Sequence, residues 1–398
     1  MLLKITEPAG PPRRGFALFA LGFRPFYLCA AASALVAIVL WMRFLETGHW
    51  SGILPAAAWH PHEMIYGLAL AAIAGFLLTA GRVWTGLDTP TGWPLGLLAA
   101  HWVLARVFLF AGPLWLGTAL DTTFPFVLAL VMGRLVIKAR SVRNYFAPLL
   151  LVALGAVNLA FHAGQAGLAA WEAGTAIRAA LYMVMTMVMI IGGRVVPAFT
   201  ANALPRAGVK VVPGLERAAL TCSLGAFALD LSGSLPGAPL ALFAAVVALV
   251  AAALQLWRQW LWRPHATLGT SLLWVLHAAH AWIPVGLLLL ACAGLGWVPR
   301  AAALHAFGVG AMGGMILGMI TRTALGHTGR PLRAAWPETS TYVLVHLAAG
   351  ARLLAFLPGA SAVDWLSIAA HLWMAAFALY LVIYVPRLLK PRVDGRPG

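Results

Sequence analysis

Residues 239–257 read PLALFAAVVALVAAALQLW, an uncharged run in which Gln255 is the one strongly polar side chain. A helix of about 20 apolar residues is long enough to cross the hydrocarbon core of a bilayer. Similar runs recur along the chain, in which 62% of the residues are hydrophobic and 10% are charged. Soluble domains contain about 45–50% apolar and about 25% charged residues. The sequence therefore predicts an all-α, polytopic membrane helix bundle.

Apolar runs and helix breakers together predict twelve membrane spans joined by short loops, in a single integral membrane domain over residues 1–398. The first run is too long for a signal peptide and has no small-x-small cleavage site at its end, so we expect it to be retained as a helix. The predicted spans are 17–42, 61–81, 95–111, 114–137, 146–169, 176–198, 217–233, 239–257, 270–296, 301–321, 339–357 and 364–386.

The distribution of lysine and arginine predicts the orientation, because these residues collect in cytoplasmic loops. With both termini in the cytoplasm, nearly all of the 27 basic residues fall at cytoplasmic segments or their flanks. The exceptions are Arg43, Arg178 and Arg300 on the outer side, and Arg106 and Arg352 within spans. The formal charge of +16 then faces lipid headgroups, and no nucleic acid partner is expected.

Histidines are unusually frequent, with twelve of them against eleven carboxylates. Ionisable groups inside a membrane are functional candidates by default, and neutral imidazole is a common ligand of haem iron and copper. Any single histidine could equally be a hydrogen-bonded residue between helices, but the whole set is a heavy load of buried polar groups. Those within or at the edge of a span are His60, His62, His101, His162, His277, His280, His305, His346 and His371.

The predicted topology sorts these histidines into two layers of the membrane. The outer layer contains His60, His62, His162, His305 and His371, and the layer nearer the cytoplasm contains His101, His277, His280 and His346. Two layers of possible ligands are compatible with more than one metal centre.

The segment Trp59-His60-Pro61-His62-Glu63-Met64 is the richest in possible ligands. Proline is favoured at the first helical position, so we expect the helix to begin at Pro61 and His60 to lie just before it. His60 could then converge with His62 on one point. Glu63 could orient an imidazole, ligate a metal or pass protons, and it is our candidate catalytic residue. The alternative is a water-facing helix start with Glu63 on the helix dipole.

Two further spans carry chemical or packing signals. His277 and His280 are three residues apart on one helical face, so one could bind a metal or haem while the other forms a hydrogen bond; a polar seam between helices is an equal alternative.

Gly310, Gly314 and Gly318 form consecutive GxxxG steps. Such a face favours close helix packing over the binding of a flat macrocycle.

Several segments together resemble the NnrS family of bacterial membrane proteins, in the family's order and across nearly the whole chain. The resemblance implies a twelve-span protein of the bacterial cytoplasmic membrane that carries haem, of b type, and copper, and that belongs to the nitric oxide response, often beside denitrification. The segments are Gly22-Phe-Arg24-Pro-Phe26, Trp59-His60-Pro-His62-Glu63-Met64, Gly75-Phe-Leu-Leu-Thr79-Ala, Gly193-Arg194-Val-Val-Pro197-Ala-Phe-Thr200-x-Asn202 and Arg322-x5-His327-Thr-Gly-Arg330.

The resemblance also implies candidate roles for single residues. His60 and His62 would hold copper, His305 would bind haem or copper, and His277 would be an inner axial ligand of haem. The resemblance adds Arg24, Arg194, His327 and Arg330 as candidates for the cofactor. His162 and His280 are further metal candidates that rest on their positions in apolar spans and not on the resemblance. The arginines could pair with haem propionates, although the positive-inside rule alone also predicts arginines at these positions.

The function expected from these features is the binding, and the reduction, of nitric oxide within the membrane, with electrons from an unknown donor. One alternative is a haem-based sensor without turnover, and another is a twelve-span secondary transporter. Transporters driven by protons usually rely on carboxylates inside the membrane, of which this chain has few. Homology to the haem–copper oxidases is disfavoured, because no adjacent His-His pair is present.

Overall fold

The computed structural model describes residues 15–168, 172–233 and 238–395, and within these residues the chain is helical without strands. The predicted all-α class is therefore confirmed. The basic residues Lys4, Arg13, Arg14 and Arg396 lie outside the described residues. The long helices are α1 (Phe23–Thr47), α2 (Ala56–Thr85), α3 (Trp93–Ala111), α4 (Leu114–Lys138), α5 (Phe146–Gln165), α6 (Ala173–Ala203), α7 (Pro213–Leu231), α8 (Pro239–Leu261), α9 (Ser271–Gly294), α10 (Arg300–His327), α11 (Trp336–Leu354) and α12 (Ala362–Leu389).

Ten of the helices in the described part of the chain are long and apolar enough to cross a membrane. The chain is therefore a multi-pass membrane protein. The other two, α7 and α11, have 19 residues each and carry charged side chains such as Glu216 and Glu338. The count of twelve spans and the cytoplasmic position of both termini remain predictions.

The most exposed tryptophans lie at helix ends rather than helix centres. Trp93 and Trp336 are the first residues of α3 and α11, and both are more than three-quarters exposed. Tryptophan is enriched at the two membrane–water interfaces, where its ring suits the headgroup level. These positions support helices that end at the membrane surface. The other tryptophans of this kind are Trp115, Trp257, Trp260 and Trp297.

The chain divides into two compact units. Unit 1 consists of three segments of the described chain: the residues up to Ile177, the segment Ile320–Leu332, and the residues from Phe377 onward. It contains α1 to α5. Unit 2 combines Arg178–Met319 with Arg333–Ala376 and contains α7, α8, α9 and α11, together with most of α6 and α10.

The start of α2 differs from the sequence-based expectation. The helix begins at Ala56, after Pro55, so that Pro61 lies inside it rather than at its first position. The reason is that Ala56, Ala57 and Ala58 are strong helix formers and extend the helix backward. His60 and His62 consequently lie about 200° apart around the helix axis, and the expected freedom of His60 is lost.

Two π-helical segments interrupt long helices in the described residues. Glu63–Ala69 follows His62 in α2, and Ala306–Gly313 follows His305 in α10. Widened turns of this kind occur frequently at functional sites.

The glycine face of α10 confirms the helix-packing interpretation. A side chain at Gly310, Gly314 or Gly318 would overlap with Trp282, His346 and Leu276 respectively. Trp282 and Leu276 belong to α9, and His346 belongs to α11. Protein side chains therefore cover the face on which a macrocycle was considered.

The twelve-span topology can be tested at α7 and α11 by cysteine accessibility. In a background without Cys29, Cys222 and Cys292, we expect Ser232→Cys and Leu357→Cys to react with an impermeant maleimide in intact spheroplasts, because both follow helices predicted to end outside. The matched cytoplasmic controls, Val142→Cys and Leu332→Cys, should react only after permeabilisation. Protection of Ser232→Cys or Leu357→Cys in intact spheroplasts would remove the preceding helix from the count of spans.

Candidate metal centre

The interior of unit 1 contains a cluster of polar side chains in apolar surroundings. Asp121 of α4 lies at its centre and is 1% exposed. Its Oδ2 lies 2.8 Å from His162 Nε2 and 3.0 Å from His62 Nε2. Asn158, one turn before His162 on α5, donates its amide to the same oxygen at 2.7 Å. Arg106 of α3 forms an ion pair with the other oxygen of Asp121.

Three of these side chains have the arrangement of a metal site. His62, Asp121 and His162 are buried, and each offers one ligand atom within 4.8 Å of the other two. Two imidazoles and one carboxylate form a ligand set that suits several transition metals, including copper, iron and zinc. Within the described part of the chain, these three residues form a group of histidine, cysteine or carboxylate side chains close enough together to hold one metal ion.

The contacts of His62 require more than a neutral ring can supply. Its Nδ1 faces Glu63 Oε1 at 3.3 Å, while its Nε2 faces Asp121 Oδ2 and also Asn158 Oδ1 at 3.1 Å. All three partners are oxygens with lone pairs, whereas a neutral imidazole carries one N–H. The second nitrogen can be satisfied by an additional proton or by a cation between it and the oxygens.

The charges of the cluster also indicate that an additional proton or cation is needed. Glu63 and Asp121 carry two negative charges, and Arg106 supplies one positive charge through contacts to both carboxylates. With neutral histidines, one negative charge remains uncompensated in the interior. Buried charges need a partner because the desolvation of an ion is expensive. A bound metal ion would supply that partner.

Aromatic rings hold His62 in position from both sides. The ring stacks on Tyr66 at 4.8 Å and on Phe161 at 4.7 Å between centroids, with interplanar angles of 29° and 26°. Tyr66 in turn donates its hydroxyl to the carbonyl of Leu154. The imidazole is therefore fixed in one plane and is fully buried.

His60 lies apart from this cluster. Its ring stacks on Trp41 of α1 at 4.6 Å with an interplanar angle of 16°, within an aromatic group that includes Trp50 and Trp59. The structure thus brings together His62, Glu63 and His162 from the sequence-based candidates, and it does not bring His60 to them.

Sequence reasoning missed Asp121, Asn158 and Arg106. Asp121 and Arg106 each lie inside an apolar span, where an ionisable residue is itself a functional signal. A carboxylate and a guanidinium in neighbouring spans could have been paired on that ground. Asn158 lies four residues before His162, on the same helical face.

Unit 2 contains the second pair of candidate ligands. His277 and His280 lie in α9 and are at most 3% exposed. The Nε2 of His277 contacts Thr200 Oγ1 at 2.9 Å, and the Nδ1 of His280 faces Gln259 Oε1 at 3.4 Å. The opposite nitrogens, His277 Nδ1 and His280 Nε2, are buried and have no hydrogen-bond partner in the described part of the chain.

The remaining candidates in unit 2 have separate surroundings. His305 Nδ1 donates to the carbonyl of Ala301 at 2.7 Å, and its ring lies 5.8 Å from that of Phe356. Arg194 lies half-buried in α6. No described contact joins His305 to the pair in α9.

The segment from Arg322 to Arg330 in unit 1 ends in a tight turn. Gly329 has a positive φ of 76°, and the amide of Arg330 donates to the carbonyl of Leu325, which closes the end of α10. His327 packs its ring on Phe23 at 5.6 Å. Arg330 NH1 is buried and has no partner among the described residues, so it could accept an anionic group.

Arg24 has a structural contact that the sequence did not suggest. Its NH1 donates to the carbonyls of Leu388 and Lys390, each at 2.8 Å. These carbonyls are at the C-terminal end of α12, where no helical partner remains for them. Arg24 therefore caps α12 within unit 1.

The charge network can be tested by removal of its cation. We expect Arg106→Met to lower the free energy of unfolding by about 3 kcal/mol, because two buried carboxylates lose their positive partner. The exposed Arg43→Met is the matched control and should change stability by less than about 0.5 kcal/mol. Both values follow from denaturation in detergent micelles; equal stabilities of the two variants would contradict the network.

Comparison with known proteins supports the resemblance on which the sequence analysis drew. The family model described as NnrS protein matches residues 17–392, nearly the whole chain. No curated protein matches the chain significantly. The chain therefore belongs to the NnrS family, and this membership supports a role in the nitric oxide response at the membrane.

Proposed function

We propose that this chain is a haem- and copper-containing protein of the bacterial cytoplasmic membrane that binds nitric oxide within the bilayer. The observation that carries the proposal is the buried group His62, Asp121 and His162, whose ligand atoms face one another in apolar surroundings. Family membership, across nearly the whole chain, adds the connection with nitric oxide.

Copper is assigned to the cluster of unit 1. Imidazole is a good ligand for copper, and the carboxylate of Asp121 would compensate part of the charge of the ion. Glu63 does not need to bind the metal directly, because its contact with His62 Nδ1 can orient the ring and increase its basicity. Arg106 would hold both carboxylates in place through its two ion pairs.

Haem iron is assigned to the histidine pair of unit 2. A nitrogen lone pair that is buried and lacks a hydrogen-bond partner fits a metal ligand, and His277 Nδ1 and His280 Nε2 both meet this description. Arg194 belongs to the same unit and is the candidate partner there for a propionate group. His305 remains a further candidate for either metal.

When bound, these metals would supply coordination of nitric oxide and the transfer of single electrons. The chain would supply the surroundings for this chemistry. Apolar rings such as Tyr66 and Phe161 exclude water from His62, and Glu63 is placed to hold a proton beside the metal ligands. Nitric oxide is small and neutral and dissolves in lipid, so it could reach a buried site without a polar channel.

Reduction is a further step that depends on an external donor. Two molecules of nitric oxide need two electrons and two protons to give nitrous oxide and water, and a quinol or a cytochrome would supply the electrons. A protein that binds nitric oxide without consuming it would be a sensor.

The proposal predicts the colour and metal content of the pure protein. We expect a Soret band, iron and copper in stoichiometric amounts, and a shift of the band when nitric oxide is added without oxygen. Consumption of nitric oxide in the presence of a reductant would identify a reductase. Absence of the Soret band and of both metals would refute the proposal, and solute uptake by such metal-free protein in liposomes would favour the transporter.

The ligand assignment in unit 1 predicts a selective loss of copper. His62→Ala and His162→Ala should each weaken copper binding by about tenfold or more, measured as copper per protein after dialysis, while the haem content stays unchanged. His101→Ala, which removes a histidine from the neighbouring α3, is the matched control. The variant His60→Ala then decides separately whether His60 contributes to the site. Copper retained in both His62→Ala and His162→Ala would refute the assignment.

A further inference from the structure

The hydrogen bonds around α9 determine which nitrogen of each histidine is available. A neutral imidazole has one N–H and one lone pair, and the group that accepts the N–H fixes the position of the lone pair. Thr200 donates its hydroxyl to the carbonyl of Val196 at 2.9 Å. The hydroxyl oxygen therefore accepts the Nε2–H of His277, and the lone pair is on His277 Nδ1.

Gln259 of α8 has the same effect on His280. Its amide nitrogen donates to the backbone carbonyl of His277 at 2.6 Å. This bond orients the amide so that its oxygen faces His280 Nδ1, at 3.4 Å. Nδ1 must then carry the hydrogen, and the lone pair is on His280 Nε2. A single side chain thus contacts both members of the pair.

A second group of contacts limits rotation of the His280 ring. The ring meets Trp262 edge-on, with centroids 4.8 Å apart, and Arg258 lies over the face of Trp262 at 4.8 Å. Arg258 is 2% exposed and is paired with Glu216 at 2.9 Å. Trp262 is therefore itself fixed, and His280 has little room to turn its other nitrogen outward.

We infer that Gln259 is a positioning residue that keeps the Nε2 lone pair of His280 available for a transition metal, which the proposed function identifies as haem iron. The inference rests on the proposed function for the nature of the ligand and on the contacts of Gln259 for the role. Gln259 acts through His280 and does not itself touch the metal.

The matched control is present on the same helix. Gln255 lies one turn before Gln259 and is fully buried. Its amide nitrogen contacts Met189 Sδ and Ser223 Oγ, each at 3.0 Å, and its Oε1 accepts from Arg258 at 3.0 Å; it touches no histidine. Loss of Gln255 therefore removes a buried glutamine of equal size from α8, and one partner of Arg258, while the acceptor of His280 Nδ1 stays in place.

The test uses the full-length protein, purified with its haem. We expect Gln259→Leu to release haem to excess apomyoglobin about ten- to a hundredfold faster than the wild type, the range found when a ligand loses its hydrogen-bond partner. Gln255→Leu should release haem at close to the wild-type rate. Equal rates for the two leucine variants would overturn the inference.

The variant Gln259→Glu distinguishes a role of Gln259 in positioning His280 from a role in stabilising the fold alone. A carboxylate still accepts the Nδ1–H of His280 but cannot donate to the carbonyl of His277. We expect slow haem release to be restored and the midpoint potential of the haem to fall below that of the wild type, because a carboxylate acceptor increases electron donation by imidazole. Release as fast as in Gln259→Leu would overturn the inference, whereas a haem-free wild type would instead refute the proposed function.

Discussion

The structure of unit 1 depends on one buried carboxylate, that of Asp121. A charge in the interior of a membrane protein is stable only when other groups surround it, and Asp121 therefore brings together side chains from three other helices: Arg106 of α3, His62 of α2, and Asn158 and His162 of α5. Removal of any one partner leaves the buried charge of Asp121 less well compensated by the remaining side chains. The same attraction that holds these helices together also places two imidazoles against one carboxylate, so that a stabilising contact and a possible metal site share the same atoms.

Unit 2 uses a different arrangement, in which no carboxylate touches the histidines through a described contact. Its two imidazoles are held by neutral acceptors, the hydroxyl of Thr200 and the amide of Gln259. Neutral acceptors leave the rings uncharged, and a neutral nitrogen lone pair favours iron or copper over hard cations. An anionic ligand set in unit 1 and a neutral one in unit 2 would hold metals of different charge and potential, as expected for two centres with different tasks.

The sequence predicted the helices well and the cluster only in part. Long apolar runs determine the helix positions, because hydrocarbon tolerates few other structures, and the predicted burial of His62 and His162 is observed. Asp121 and Arg106, in consecutive spans, could have been paired as ionisable residues inside the membrane. The approach of His62 and His162 to them could not have been predicted, because apolar runs do not tell how four helices are arranged around one point. The start of α2 was predicted incorrectly because the rule for proline at a first helical position competes with three preceding alanines, and the alanines extend the helix.

Gly67 shows how closely the backbone and the cluster are matched. It lies one turn after Glu63 in the π-helical segment, and a side chain there would collide with Glu63 Oε2 and with Ser33 Oγ of α1. The space left by the missing side chain lets the Glu63 carboxylate lie beside Gly67, where its Oε1 reaches Arg106 at 2.9 Å and His62 at 3.3 Å. Any larger residue would have to displace this carboxylate or separate α2 from α1. Glycine at this position therefore permits both the approach of two helices and the orientation of the group that accepts from His62, which makes the geometry of the candidate site inseparable from the packing of unit 1.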